Sequence, residues 1–223
     1  MQKEIKISLP LYKIAYALLF IVILSLIRGV SLSCEIGIAL EPAMAILAAA
    51  FCADTYVQEV RSGRSEIWRL YPMKKRMRSI GRRMLIQELF LLLLAAAGYG
   101  LFFLFQKPLL SHAIQPDAGG ELTQFGWYLA AAAVTLAFWG ILSNTLACIF
   151  RSLWFGIGGC LILWLLTNST FGIRYLGAWN VFSYTFRNVE NPGDFSWLMG
   201  KCLCMILCIA ATAVLPNLLR KHG

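Results

Sequence analysis

The chain of 223 residues is 59% hydrophobic and only 14% charged, and its mean hydropathy is +0.69. Soluble domains carry about 25% charged residues, so this composition excludes an ordinary soluble globule and predicts an integral membrane protein. The net charge of +9 does not indicate a nucleic-acid partner. The basic residues lie beside apolar runs, where they are typical of cytoplasmic loops and of contact with anionic membrane lipids.

Six apolar runs approach the length of about 20 residues that a helix needs to cross the hydrocarbon core of a bilayer. They predict an all-α membrane protein with a single transmembrane domain over residues 1–223. The second run is interrupted by Glu41-Pro42, and the fifth is short. We expect spans near 11–27, 36–53, 84–105, 127–150, 153–166 and 197–215.

The residues that precede the first span alternate between charged and apolar side chains. This pattern predicts a short amphipathic helix on the inner membrane interface that ends near Pro10. A disordered segment up to the first span is the alternative. Lys13 lies just inside the first span, and we expect its ammonium group to reach back to the inner interface.

Glu41 is the only acidic residue that we expect deep within a span. An ionisable group in a membrane span is a candidate functional group. The alternative is that Glu41 lies near the outer end and reaches water, with Pro42 opening the helix. Asn144 is the second candidate for an intramembrane polar site, although a helix-packing role is more typical of such a residue.

The loop between the second and third spans is strongly basic. Its 30 residues, 54–83, hold nine of the 20 Lys and Arg residues. Lys and Arg are enriched in cytoplasmic loops of membrane proteins. With six alternating spans, the bias predicts that this loop and both chain termini are cytoplasmic, and it places Lys201 near the outer end of the last span.

Residues 65–71 of this loop can form two helical turns. Ser62 or Ser65 can cap the start, Glu66 suits the positive amino-terminal end of a helix, and Pro72 marks its stop. Four of these seven residues are apolar or aromatic, which is unusual for a cytosolic loop and indicates an anchor for the pocket of a partner. The alternative is a lipid-binding polybasic loop that only sets topology.

The segment 167–195, after the fifth span, is rich in aromatic residues. Solvated loops rarely have this composition, so we predict a pair of short re-entrant or interfacial helices on the outer side. An ordinary loop surrounded by an aromatic interface belt is the alternative.

The basic loop resembles a known docking element. In permease subunits of the type-2 ABC exporter family, the loop between spans two and three carries an acidic residue, then Gly-Thr-x-Glu, then a short helix ending in Pro-x-x-Arg. This chain has Glu59, Gly63, Glu66 and a Tyr-Pro-Met-Lys-Lys stretch at 71–75, with Arg64 in place of the threonine. The resemblance implies an ATPase-docking coupling helix in this loop, formed by Glu59, Gly63, Glu66, Ile67, Trp68, Arg69, Leu70, Tyr71 and Pro72.

The resemblance covers the whole chain, because the family also has an interfacial amino-terminal helix and a re-entrant pair between spans five and six. It implies a permease in a bacterial cytoplasmic membrane that pairs with a second copy or homologue and with ABC ATPase subunits. The ATPase would bind ATP and Mg, and this chain would bind no cofactor. The implied cargo is amphipathic or hydrophobic: a peptide, toxin, antibiotic or lipid-linked molecule, as in exporters of peptide toxins or bacteriocins.

Two other classes of function compete with this interpretation. One is the substrate-binding membrane subunit of an energy-coupling vitamin importer, which is also small and six-spanned. The other is a membrane enzyme, but the sequence has no phosphate-binding loop, HExxH or CxxC motif, or metal-ligand cluster. We therefore expect no catalytic or metal site in this chain.

Overall fold

The structure is a computed structural model that describes residues 2–55, 57, 72–109, 118–187 and 195–222. These residues form helices, with no strand among them beyond a backbone bridge between Leu32 and Leu109. The prediction of an all-α protein is confirmed. The helices are α1 (Gln2–Ser8), α2 (Leu11–Ile27), α3 (Glu35–Cys52), α4 (Met73–Gln106), α5 (Ala118–Phe150), α6 (Leu153–Asn168), α7 (Thr170–Leu176) and α8 (Trp197–His222).

Several of these helices are those of a multi-pass membrane protein. Within the described ranges, α3, α4, α5 and α8 are each long and apolar enough to cross a membrane. Together, α6 and α7 also meet this criterion, but their axes differ by 70°. The predicted first span corresponds to α2, which is apolar but has only 17 residues.

Neighbouring helices alternate in direction, which brings their ends into two groups. At one end, Lys13 of α2 contacts Phe51 of α3, and Asn144 of α5 contacts Met84 of α4. We call this the basic end, since α4 begins there with the sequence Met-Lys-Lys-Arg. At the opposite end, the backbone N–H of Val30 donates to Gln106 Oε1 over 2.8 Å.

Helix α3 lies at the centre of the core. It packs against α4, α5 and α6, and its small residues Ala45 and Ala48 are fully buried, which allows the helices to approach closely. The alternative in which Pro42 opens the helix is wrong, because α3 continues through this residue. The Trp164 Nε1–H of α6 donates to the Pro42 carbonyl over 2.8 Å and so ties α6 to the middle of α3.

The bend after α6 has a local cause. Ser169 has extended backbone angles, and its hydroxyl accepts a hydrogen bond from the Gly172 N–H, which starts α7. A 3-10 turn (Gly177–Trp179) and a series of turns at 181–186 follow. We call residues 180–187 the outer segment. Its residues Phe182 and Tyr184 are buried, whereas Phe186 is exposed.

Candidate functional site

A buried ion pair joins α3 to α8 in the interior of the helical bundle. Glu41 of α3 is 0% exposed, and Lys201 of α8 is 3% exposed. The Lys201 ammonium is in direct contact with Glu41 Oε1. These two residues are 160 positions apart in the chain, so the contact fixes the last long helix against the central one.

Hydroxyl groups complete the hydrogen bonding of this pair. Thr135 of α5 donates to Glu41 Oε1 over 2.8 Å, and Thr185 of the outer segment donates to Oε2 over 2.7 Å. Lys201 Nζ also donates to Thr135 Oγ1 over 2.8 Å and to the Val181 carbonyl over 2.9 Å. All three ammonium hydrogens and both carboxylate oxygens therefore have partners. We call Glu41, Thr135, Thr185 and Lys201 the charge cluster.

Separating the two buried charges of this cluster would cost a large amount of free energy. Transferring either charge alone from water to an apolar interior costs several kcal/mol, so separating the pair is favourable only if water enters with it. The charge cluster joins four parts of the fold: α3, α5, α8 and the outer segment. While water is excluded, the buried ion pair and its hydrogen bonds keep these four parts together. Entry of water would lower the cost of separating them.

A glycine shapes the contact between α8 and the outer segment. The Asn180 carbonyl oxygen and the Ser183 side chain occupy the space that a Cβ at Gly200 would need. Ser183 Oγ donates to the Trp197 carbonyl over 2.7 Å, and Asn180 Nδ2 donates to the Thr167 carbonyl over 2.9 Å. This packing brings Val181 and Thr185 within reach of the charge cluster.

The structure corrects two expectations about this cluster. Glu41 does not reach water at an opened helix, because it is fully buried in a continuous α3. Lys201 was expected to serve as a charge near the outer end of the last span, but its ammonium points into the bundle. Sequence reasoning missed Lys201, Thr135 and Thr185; the available signal was a lysine within the apolar run 197–215.

Asn144 does not belong to the charge cluster. It lies nine residues after Thr135 on α5, which is about 13 Å along a helix. Its Nδ2 is 3.7 Å from Met84 Sδ, and the residue is 1% exposed. Glu41 and Asn144 thus lie at different depths, and Asn144 packs α5 against α4.

A second polar group lies at the basic end. Lys13 Nζ donates to the Phe51 carbonyl over 2.7 Å and to Asp54 Oδ1 over 2.5 Å. Lys13 is 3% exposed, so its ammonium is enclosed by protein atoms and paired with the first residue of the basic loop. Thr55 donates to Gln87 Oε1 over 2.9 Å, and Gln87 Nε2 donates to the Ser8 carbonyl over 3.2 Å.

These contacts fix the residues that enter the basic loop. Asp54 and Thr55 are the first two residues of the loop, and through them the loop is joined to α2, α4 and the end of α1. A displacement of the loop would therefore be transmitted directly to three helices.

Most of the predicted docking element lies outside the described residues. This applies to Glu59, Gly63, Glu66, Ile67, Trp68, Arg69, Leu70 and Tyr71. Pro72 is described; it is exposed and has extended backbone angles immediately before α4. The docking role of these residues stays a prediction.

The described residues contain no group of three or more His, Cys, Asp or Glu side chains that could hold a metal ion. No protein family, curated protein or solved structure matches this chain. The arrangement of its own residues must therefore carry the functional argument.

Proposed function

We propose that this chain is the transmembrane permease subunit of an ATP-driven exporter of the type-2 ABC kind. The observation that carries the proposal is the docking-like pattern from Glu59 to Pro72 within the basic loop. In this proposal, separate ATPase subunits bind ATP and Mg and dock on that loop. A second copy or homologue of the chain completes the pathway, and the cargo is amphipathic or hydrophobic.

The amino-terminal helix supports this proposal. Helix α1 is a separate short helix that packs against α4, near the basic end. Its Glu4 carboxylate is 4.0 Å from the Arg82 guanidinium. A short charged helix at this position suits the inner membrane interface. The order of α1, the basic loop and the bent α6–α7 pair is the order in the exporter family, with α7 and the outer segment as the re-entrant part.

The contacts at the basic end supply a physical route for coupling. Closure of the ATPases would displace the docking helix, and the loop would pull on Asp54 and Thr55. Their bonds to Lys13 and Gln87 would pass this displacement to α2 and α4. At greater depth, outward opening would require water to enter the charge cluster.

The docking role is tested by copurification of the tagged chain with its candidate ATPase. Changing Trp68 and Leu70 to alanine together is expected to weaken retention of the ATPase by about 100-fold or more, since buried anchors contribute about 2 kcal/mol or more each. The matched control is Arg78→Gln, which removes one exposed charge of α4 outside the docking pattern and leaves the apolar anchors in place.

The two variants separate the competing interpretations. If Trp68→Ala/Leu70→Ala still retains the ATPase, or if the chain never copurifies with one, the exporter proposal fails. Retention only through an additional scaffold subunit would indicate the vitamin-importer class. Membrane insertion of each variant is measured in parallel, so that a misfolded chain is not mistaken for a lost interface.

A further inference from the structure

Glu88 is a second carboxylate within a helix that is long and apolar enough to cross a membrane. It lies on α4, at the edge of the buried face: Met84 and Leu91 are buried, whereas Leu85 and Leu89 are exposed. Glu88 itself is partly exposed. It was not expected to lie deep within a span, because it is close to the basic start of the third apolar run.

The Glu88 carboxylate is directed at the backbone of α5. Its Oε1 is 3.6 Å from the position that a Cβ would take on Gly140, and Cys52 Sγ is 3.1 Å from the same position. Gly140 lies ten residues before the end of α5 at Phe150, which is about 15 Å. The carboxylate therefore faces Gly140 of α5 and the Cys52 thiol of α3.

The carboxylates of Glu41 and Glu88 differ in their partners. Glu41 has a cation and two hydroxyl donors, whereas no described residue donates a hydrogen bond to Glu88 or forms an ion pair with it. The side chains near it on α3 and α8 include the thiols of Cys52 and Cys208, which are weak donors. An ionisable group in this position is costly to keep charged, and such groups mark ligand or ion pathways in membrane proteins.

The surroundings of Glu88 indicate which kind of ligand it would take. A single carboxylate with thiol neighbours lacks the several oxygen ligands that Ca²⁺ or Mg²⁺ requires. One organic cation needs only one carboxylate. Since Leu85 and Leu89 continue from Glu88 along the exposed side of α4, the alkyl chain of a ligand can lie on that side while its head group reaches Glu88.

We propose that Glu88 binds the ammonium or guanidinium group of an amphipathic molecule, with the apolar part of that molecule lying along the exposed side of α4. Identification of this molecule as the cargo depends on the exporter proposal. The site itself does not, because it is formed by this chain alone.

The test uses the purified full chain in a neutral detergent, without an ATPase. Dicyclohexylcarbodiimide modifies carboxyl groups in apolar surroundings, and peptide mass spectrometry locates the product. We expect modification of Glu88 and none of Glu41, which is enclosed by its partners. Dodecylammonium is expected to suppress the modification of Glu88, whereas dodecanol, with the same alkyl chain and no charge, is not.

Binding of dodecylammonium is then measured directly. It is expected to be at least about tenfold weaker in Glu88→Gln, which keeps the shape and removes the charge. Equal protection by dodecanol, or no protection by either compound, would overturn the proposal and leave Glu88 as a group that only takes up a proton. These results on the wild-type chain decide the matter even if Glu88→Gln does not fold. A wild-type chain that never copurifies with an ATPase would refute the exporter proposal without affecting these results.

Discussion

Replacing Lys201 with methionine is expected to lower the free energy of unfolding by about 3–5 kcal/mol, which is the usual cost of removing one partner from a buried ion pair. Methionine fills nearly the same space, so the loss comes from charge and not from packing. Glu41 would keep its two hydroxyl donors, Thr135 and Thr185, but would be left in the interior without its cation. Thermal unfolding of the purified chain in detergent measures the change.

Two further variants make this prediction specific. Lys107→Met removes an exposed lysine just after α4 and is expected to change the free energy of unfolding by less than about 0.5 kcal/mol. Glu41→Leu/Lys201→Met replaces the whole pair with apolar side chains and is expected to recover most of the stability, because uncharged replacements of buried pairs are often neutral. If Lys201→Met were as stable as the wild type, or the double variant less stable than Lys201→Met, the charge cluster would not have the energetic role assigned to it.

The helices were predictable from the sequence because the hydrophobic requirement of a bilayer leaves a strong local signal. Their ends were less predictable. The third apolar run suggested a span of 84–105, but α4 is Met73–Gln106, since the basic residues that precede the run are also good helix formers. Hydropathy detects where a helix is apolar and not where its backbone hydrogen bonding starts.

The charge cluster was only half predictable. Glu41 was recognised because a carboxylate in an apolar run is conspicuous, but its partner depends on which helix lies beside α3. Lys201 was counted as a topology signal, an interpretation that suits most lysines near span ends. Lys13 was likewise interpreted only as a lysine near a span end. Glu88 was not singled out, although it lies within the predicted span 84–105. Pairing across 160 residues is a property of tertiary structure, and a single sequence does not encode it locally.

The contact between α8 and the outer segment leads to the second large expected effect. Gly200→Ala is expected to lower the free energy of unfolding by about 3 kcal/mol, at the upper end of the usual range for overpacking. The added methyl group would overlap the Asn180 carbonyl oxygen and the Ser183 side chain, whose Cβ lies 2.9 Å from the new atom. A backbone carbonyl cannot rotate away as a flexible side chain can, so the outer segment must move.

Gly100→Ala is the matched control for this variant. Gly100 is also inside a long helix, but no atom lies within 4 Å of its added Cβ. Alanine is about 1 kcal/mol better than glycine in a helix interior, so this variant should be as stable as the wild type or more stable. Changes of opposite sign in the free energy of unfolding at these two helical glycines would show that contact with the outer segment, and not helix propensity, determines the effect.

Because movement of that segment also withdraws Thr185 and Val181 from the charge cluster, Lys201→Met should cost less in the Gly200→Ala background than in the wild type. Simple additivity of the two losses would instead mean that Gly200 and the charge cluster act independently.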